Sequence, residues 1–188
     1  GKYPHEVRMS DKPVTAVIVG AGHRSLHYAS YSIAHPDELK SVGVADPVAR
    51  RREQVAAKYQ IPRQHWFESA EELANQPKMA DAVINGTMDH HHVPPSLPLL
   101  RAGYDLLLEK PLATSETEMR ELARTTADTG RTVLICHVLR YAPFYRTVRE
   151  LVMNGAIGDV INIQTTEHVS YHHMAVGFVR GKWNNKDK

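Results

Sequence analysis

The sequence predicts an α/β fold, a doubly wound parallel sheet with helices on both faces, followed by the start of a smaller α+β unit. Three observations carry this. Val14-Thr15-Ala16-Val17-Ile18-Val19 runs straight into Gly20-Ala21-Gly22, a β-favouring run that ends in a tight turn and opens a helix. From there to Cys136, apolar runs and helical patterns alternate strictly with short connections, the signature of parallel strands joined by crossover helices. After about Arg140 the alternation stops and a different pattern begins.

Each element has its own signal. Residues 1–12 are polar and without periodicity, and read as a flexible leader. A helix is expected over His23–Ala34, stopped by His35-Pro36, because the residue before proline is driven out of the helical region. Ser41–Ala45 reads as a buried strand ending at Asp46-Pro47, Val48–Tyr59 as a helix and Gln64–Phe67 as a third strand. Ser69 followed three residues later by Glu72 has capping-box spacing and starts a short helix. Ala80–Asn85 is the fourth strand, Pro95–Ala102 a helix closed by Gly103, and Asp105–Leu108 the fifth strand. A second capping box, Ser115 to Glu118, opens a helix that Gly130 closes, and Thr132–Cys136 is the sixth strand. Beyond it, Ala142–Asn154 is helical. Val160–Val169 alternates apolar and polar residues, as a strand with one wet face does. One strand makes no sheet, so its partners are expected from another chain or from sequence beyond Lys188. The expected organisation is a leader over 1–12, a doubly wound α/β domain over 13–141, and the beginning of a second, different unit over 142–188.

Composition bounds the function. With 42% hydrophobic and 23% charged residues the chain is globular in type, and a net charge of +2 gives no reason to expect nucleic acid or a membrane surface as partner. No apolar run approaches a transmembrane span. The single cysteine, Cys136, rules out an internal disulfide framework and fits a cytoplasmic setting. Twelve histidines raise the question of a metal. Neither the pair His23/His27, the pair His168/His172 nor the run His90-His91-His92 supplies the three or four convergent ligands that zinc needs, so no metal is expected.

The candidate chemistry begins at the glycine turn. The first glycine permits the turn, the second lets backbone approach a pyrophosphate, and helix N–H groups face the negative charge. Ser25 stands where the usual G-x-G-x-x-G has its third glycine. Asp46, 24 residues beyond Gly22, sits where an acidic side chain bonds the adenosine ribose of NAD and repels the extra phosphate of NADP; capping of the next helix is the alternative role. Arg50, Arg51 and Arg52 follow closely and read as a solvated helix face, although an arginine here can also accommodate a 2′-phosphate.

Ala102-Gly103-Tyr104-Asp105-Leu106-Leu107-Leu108-Glu109-Lys110-Pro111 resembles the A-G-x-x-V-L-x-E-K-P signature of the Gfo/Idh/MocA oxidoreductases, the family of glucose-fructose oxidoreductase and inositol dehydrogenase. G-A-G-H-R after the first strand, A-D-P after the second, G-T-M-D-H-H-H-V after the fourth and R-Y-A-P-F after the sixth come in the same order, so the resemblance covers about residues 13–170. It implies a Rossmann domain with Gly20, Gly22, His23 and Arg24 at the pyrophosphate and Asp46 at the ribose. Thr87 and His92 would lie along the cofactor, though the family usually has Pro and Asn where Met88 and Asp89 stand. Glu109 would contact the nicotinamide side and Lys110 would be the catalytic lysine. Arg140, with His137 near it, falls at the expected nicotinamide end; a structural role is the alternative for both. The implied activity is NAD(P)-dependent hydride transfer to or from a secondary alcohol of a sugar, sugar derivative or cyclitol, with NAD preferred, in a full-length homo-oligomer. NAD-dependent glycoside hydrolysis without net redox and a non-catalytic dinucleotide-binding module are the alternatives. The residues that read the substrate are expected mostly beyond Lys188.

Overall fold

A computed structural model describes residues 12–181 and 184. The predicted leader therefore lies outside the described residues, Lys12 excepted, as does Trp183. The chain divides into two compact units at Cys136/His137.

The first unit is a six-stranded parallel sheet in the order β3-β2-β1-β4-β5-β6. Its strands are β1 (Val14–Val19), β2 (Leu39–Ala45), β3 (Trp66–Phe67), β4 (Ala82–Asn85), β5 (Asp105–Leu108) and β6 (Val133–Ile135). Between them run α1 (His23–Ala29), α2 (Tyr31–Ala34), α3 (Ala49–Tyr59), α4 (Ala70–Ala74), α5 (Val93–Arg101) and α6 (Glu116–Thr129). The expected helix over His23–Ala34 is thus two helices with Ser30 between them. The third strand is shorter than expected because Arg63–His65 forms a 3₁₀ turn in front of it.

Successive residues of β1 point to opposite faces, and both faces are buried. Val17 and Val19 join a core with Phe67, Leu73, Val83, Leu99, Leu100, Tyr104, Leu106, Leu108 and Leu122. Ala16 and Ile18 join one on the other face with Ala29, Val44, Val55, Ala56, Ile61 and Ile84. This double burial is why the central strands are unbroken apolar runs rather than alternating ones. Both serines cap their helices, Ser69 Oγ accepting from Glu72 N at 3.1 Å and Ser115 Oγ from Glu118 N at 3.2 Å, while the two glutamates reach back one residue beyond the N-cap, to Glu68 N and Thr114 N. Gly130 closes α6 with φ +63°, a conformation glycine adopts without penalty.

At the amino ends of the strands, Asp81 ties β4 to β1. Its Oδ2 accepts from Thr15 N at 2.8 Å and from Thr15 Oγ1 at 2.7 Å. These bonds, backbone first, hold its carboxyl below the usual aspartate range. A carboxylate whose folded pKa is lowered adds stability above its unfolded value and loses it as pH falls toward the folded one. The melting-temperature gap between the wild type and Asp81→Asn is therefore expected to be constant above about pH 4 and to narrow below it. A gap independent of pH in acid-range melts contradicts this role.

The second unit holds α7 (Pro143–Met153), the short α8 (Tyr171–His173) and a π-helical turn over Met174–Val179. The expected strand over Val160–Val169 is not formed: the segment is irregular, with Ile161 97% and Ile163 76% exposed. An alternating pattern supplies a face but no ladder, and the described residues offer this segment no pairing strand. No helix among the described residues is long and apolar enough to cross a membrane.

Candidate functional site

The strand registers build the site. Val19 of β1 pairs with Ala45 of β2 and with Asn85 of β4, and Asn85 pairs with Leu108 of β5. The four strands therefore end level, and the next residue of each, Asp46, Gly20, Gly86 and Glu109, stands in one row along the carboxyl edge. The row spans three inter-strand steps, about 14 Å. It crosses the boundary between β1 and β4, where the winding reverses, the place where open α/β sheets leave a crevice for ligands.

Gly20 turns the chain with φ +72°. A Cβ there would lie 2.8 Å from Thr87 Cγ2 and 3.1 Å from Thr87 Cα, so both conformation and space demand glycine. At Gly22 a Cβ would meet nothing within 4 Å, so the backbone faces open space. Asp46 holds this turn in shape. Its Oδ2 accepts from Ala21 N at 2.8 Å and its Oδ1 from Val48 N at 2.8 Å, joining the glycine turn to the start of α3. The helix-capping alternative is not met in the strict sense, since Val48 is the N-cap of α3 and has no side-chain cap bond; Asp46 instead accepts from Val48 N just ahead of the helix, and a carboxylate has about four acceptor positions in all. Arg51 stands 3.8 Å from Asp46 Oδ2. Arg52 corrects the reading of Arg50–Arg52 as a solvated face: it is 6% exposed, donating to the Asp46 carbonyl and to Glu68 Oε1.

Ser25, in place of the third glycine, is fully buried and donates to the Val19 carbonyl at 3.1 Å. The room comes from the opposite side: a Cβ at Gly86 would lie 2.5 Å from Ser25 Oγ and 2.9 Å from Ser25 N. The close approach that a third glycine normally allows is supplied here by Gly86.

At the other end of the row, Glu109 is 5% exposed. Its Oε2 accepts from Lys110 N at 2.8 Å and from Tyr28 Oη at 3.3 Å, and Arg24 Nε lies 3.4 Å from its Oε1. Arg24, expected at the pyrophosphate, thus links the glycine-turn helix to the Glu-Lys-Pro segment. Lys110 is exposed, its ammonium makes no hydrogen bond or ion pair among the described residues, and its bond to Pro111 is cis.

Thr87 and His92 are both engaged within the protein. Thr87 is half-buried, and its hydroxyl, with one proton to give, lies 2.8 Å from Asn85 Oδ1 and 2.7 Å from the His91 carbonyl. His92 is fully buried, with Nδ1 2.6 Å from the Pro111 carbonyl and Nε2 3.1 Å from the Thr87 carbonyl. The buried ring braces the loop after β4 against the segment carrying Lys110. Asn85, fully buried, completes this brace by donating to the His92 carbonyl and Ser96 Oγ at 3.0 Å each. Tyr28, Asn85 and Gly86 are the site residues that sequence reasoning missed. The G-T pair after β4 was the one available signal. His23 is exposed, its ring 6.3 Å from that of His27. Arg140 lies in a 3₁₀ turn, Val138–Tyr141, of the second unit and, like His137, is exposed. Among the described residues no group of three or more His, Cys, Asp or Glu is arranged to hold a metal ion.

A level row of turns at the switch point of a doubly wound sheet, glycine-lined at its centre and acidic at both ends, defines a dinucleotide-binding type of domain. Comparison with known proteins makes the class particular. The sequence model of the Gfo/Idh/MocA family, described as an oxidoreductase family with an NAD-binding Rossmann fold, matches residues 14–137, and the chain belongs to this family. The chain is 32% identical over 144 residues to trans-1,2-dihydrobenzene-1,2-diol dehydrogenase of Mus musculus, covering 76% of this chain and 42% of that protein. It is 28% identical over 148 residues to scyllo-inositol 2-dehydrogenase (NAD(+)) of Bacillus subtilis (strain 168), covering 79% and 42%. The fold matches the WlbA dehydrogenase from Bordetella pertussis, solved in complex with NADH and UDP-GlcNAcA, with TM-score 0.73, 20% identity and coverage of 79% of this chain and 42% of that one. The chain thus spans less than half the length of each of these relatives.

Proposed function

We propose that this chain is the cofactor-carrying part of an NAD-dependent oxidoreductase acting on a secondary alcohol of a sugar, sugar derivative or cyclitol. The observation that carries the reading is the level row Asp46, Gly20, Gly86 and Glu109, with Lys110 next to its end. Family membership and the dehydrogenase names of the relatives support it. In this reading Gly20 and Gly22 receive the pyrophosphate, with His23 and Arg24 beside it. Asp46 bonds the adenosine ribose, Thr87 flanks the middle, and Glu109 stands at the nicotinamide side. Arg140 is assigned to the cofactor by the family resemblance alone. Domain boundaries at 13–141 and 142–188, with the latter beginning a domain that carries substrate and subunit contacts, belong to the same proposal, as does a cytoplasmic homo-oligomer.

A bound nicotinamide supplies the hydride acceptor. The protein must then manage the alcohol proton. As hydride leaves carbon, negative charge grows on the oxygen, and a cation beside it stabilises the developing alkoxide. Lys110 is suited to this because its ammonium is exposed and unpaired among the described residues, whereas the adjacent Glu109 is buried and held. The test is a panel of cyclitols and sugars offered with NAD⁺ to a chain extended to the length of its relatives. Reduced nicotinamide should accumulate with one product ketone per NADH. Sugar release without NADH would instead indicate glycoside hydrolysis, and tight NADH binding without any product a non-catalytic module.

A further inference from the structure

We propose that Tyr28 is a positioning residue that sets the Glu109 carboxylate for the nicotinamide end of the dinucleotide. The proposal rests on the cofactor reading above and adds to it a residue that no sequence motif marked.

The geometry is a helical clamp. Arg24 and Tyr28 are four residues apart on α1, so they share one face of the helix. Both reach the same buried carboxylate, Arg24 Nε at 3.4 Å from Oε1 and Tyr28 Oη at 3.3 Å from Oε2. The Lys110 backbone N–H completes the set at 2.8 Å. Arg24 is 48% exposed in its side chain and free to swing toward solvent, whereas the half-buried phenol has little freedom. Tyr28 is therefore the firmer of the two grips. Burial, followed by the neighbouring Cys136 thiol and the charge of Glu109, pushes the phenol well above the ordinary tyrosine range. The hydroxyl so remains a donor throughout the physiological range. Cys136 directly follows β6, its backbone N–H donates to the Leu108 carbonyl at 2.9 Å, and burial raises its thiol.

If Tyr28 acts through Glu109, its loss should be felt at one end of the ligand only. Tyr28→Phe keeps the ring and removes the donor. NADH and ADP-ribose share pyrophosphate and adenosine and differ at the nicotinamide, so fluorescence and calorimetric titrations with both separate local positioning from general damage. Tyr28→Phe is expected to weaken NADH about 5- to 10-fold, the scale of one hydrogen bond to a charged group, and ADP-ribose by less than about twofold. In a Glu109→Gln background the same change should cost NADH less than about twofold, because residues acting through one another are non-additive. Equal losses for both ligands, no loss for either, or an undiminished effect in the Glu109→Gln background would overturn the assignment. A wild-type chain that binds neither ligand would overturn the cofactor reading itself, and this proposal with it.

Discussion

Replacing Lys110 by methionine is expected to lower turnover by about 10²- to 10⁴-fold, the range a positioned acid–base group contributes. NADH affinity should stay within about threefold, since the loss concerns the transition state and not uniform binding. The expectation follows from a contrast between neighbours. Glu109 is buried under Tyr28, Arg24 and the Lys110 N–H, so it is committed to structure and orientation. Lys110 is exposed directly beside it at the end of β5. Methionine matches the stem and deletes the charge, so the variant should melt within a degree or two of the wild type. The measurement is steady-state turnover in a chain extended to the length of its relatives. Turnover within a few-fold of wild type would remove Lys110 from the chemistry.

Gly20→Ala is expected to destabilise the first unit by about 2–4 kcal/mol and to abolish measurable dinucleotide binding. Two costs combine. An alanine at φ +72° pays for left-handed backbone, on the order of 1 kcal/mol. Its Cβ would also sit 2.8 Å from Thr87 Cγ2 and 3.1 Å from Thr87 Cα, and the second of these is backbone that cannot swing aside. Thr87 is itself fixed, with its N–H 3.2 Å and its hydroxyl 2.8 Å from Asn85 Oδ1. Strain at Gly20 therefore spreads into the brace of Asn85 and His92. By contrast, Gly22→Ala meets nothing within 4 Å and adopts an ordinary backbone, so it should leave the melting temperature nearly unchanged while weakening the cofactor. Thermal melts of the two variants, read beside NADH titrations, separate a glycine the fold needs from one the ligand needs. Similar melting losses for both would contradict this division.

What was legible in the sequence was local or periodic. Asp105–Leu108 matches its strand end for end, Ser69 and Ser115 both cap their helices, and Gly130 closes α6, because propensity, capping and chain reversal act within a few residues. The Glu109-Lys110 segment was legible through resemblance. Contacts between distant segments were not. Nothing near Gly86 in the chain says that its missing side chain makes room for Ser25, and nothing near Tyr28 points to Glu109, 81 residues on. Arg52 read as solvated because charge runs on helices usually are; its burial depends on the Asp46 carbonyl and Glu68, brought together by the β2-β3 pairing. His92 stood in the right motif, yet its depth was invisible until Pro111 and Thr87 closed on its ring. The strand over Val160–Val169 failed for the opposite reason. Its alternation was genuine, but a strand is a property of a pair.

The central claim is that the row Asp46, Gly20, Gly86 and Glu109 receives an extended dinucleotide. Calorimetric titration of the 188-residue chain with NADH tests it most directly, repeated with Asp46→Ala, which removes the carboxylate that holds Ala21 N–H and that the proposed function assigns to the ribose. Saturable binding at a single site, weakened at least tenfold by Asp46→Ala, is the predicted result. No saturable heat from the wild type, or binding that Asp46→Ala leaves unchanged, would contradict the account.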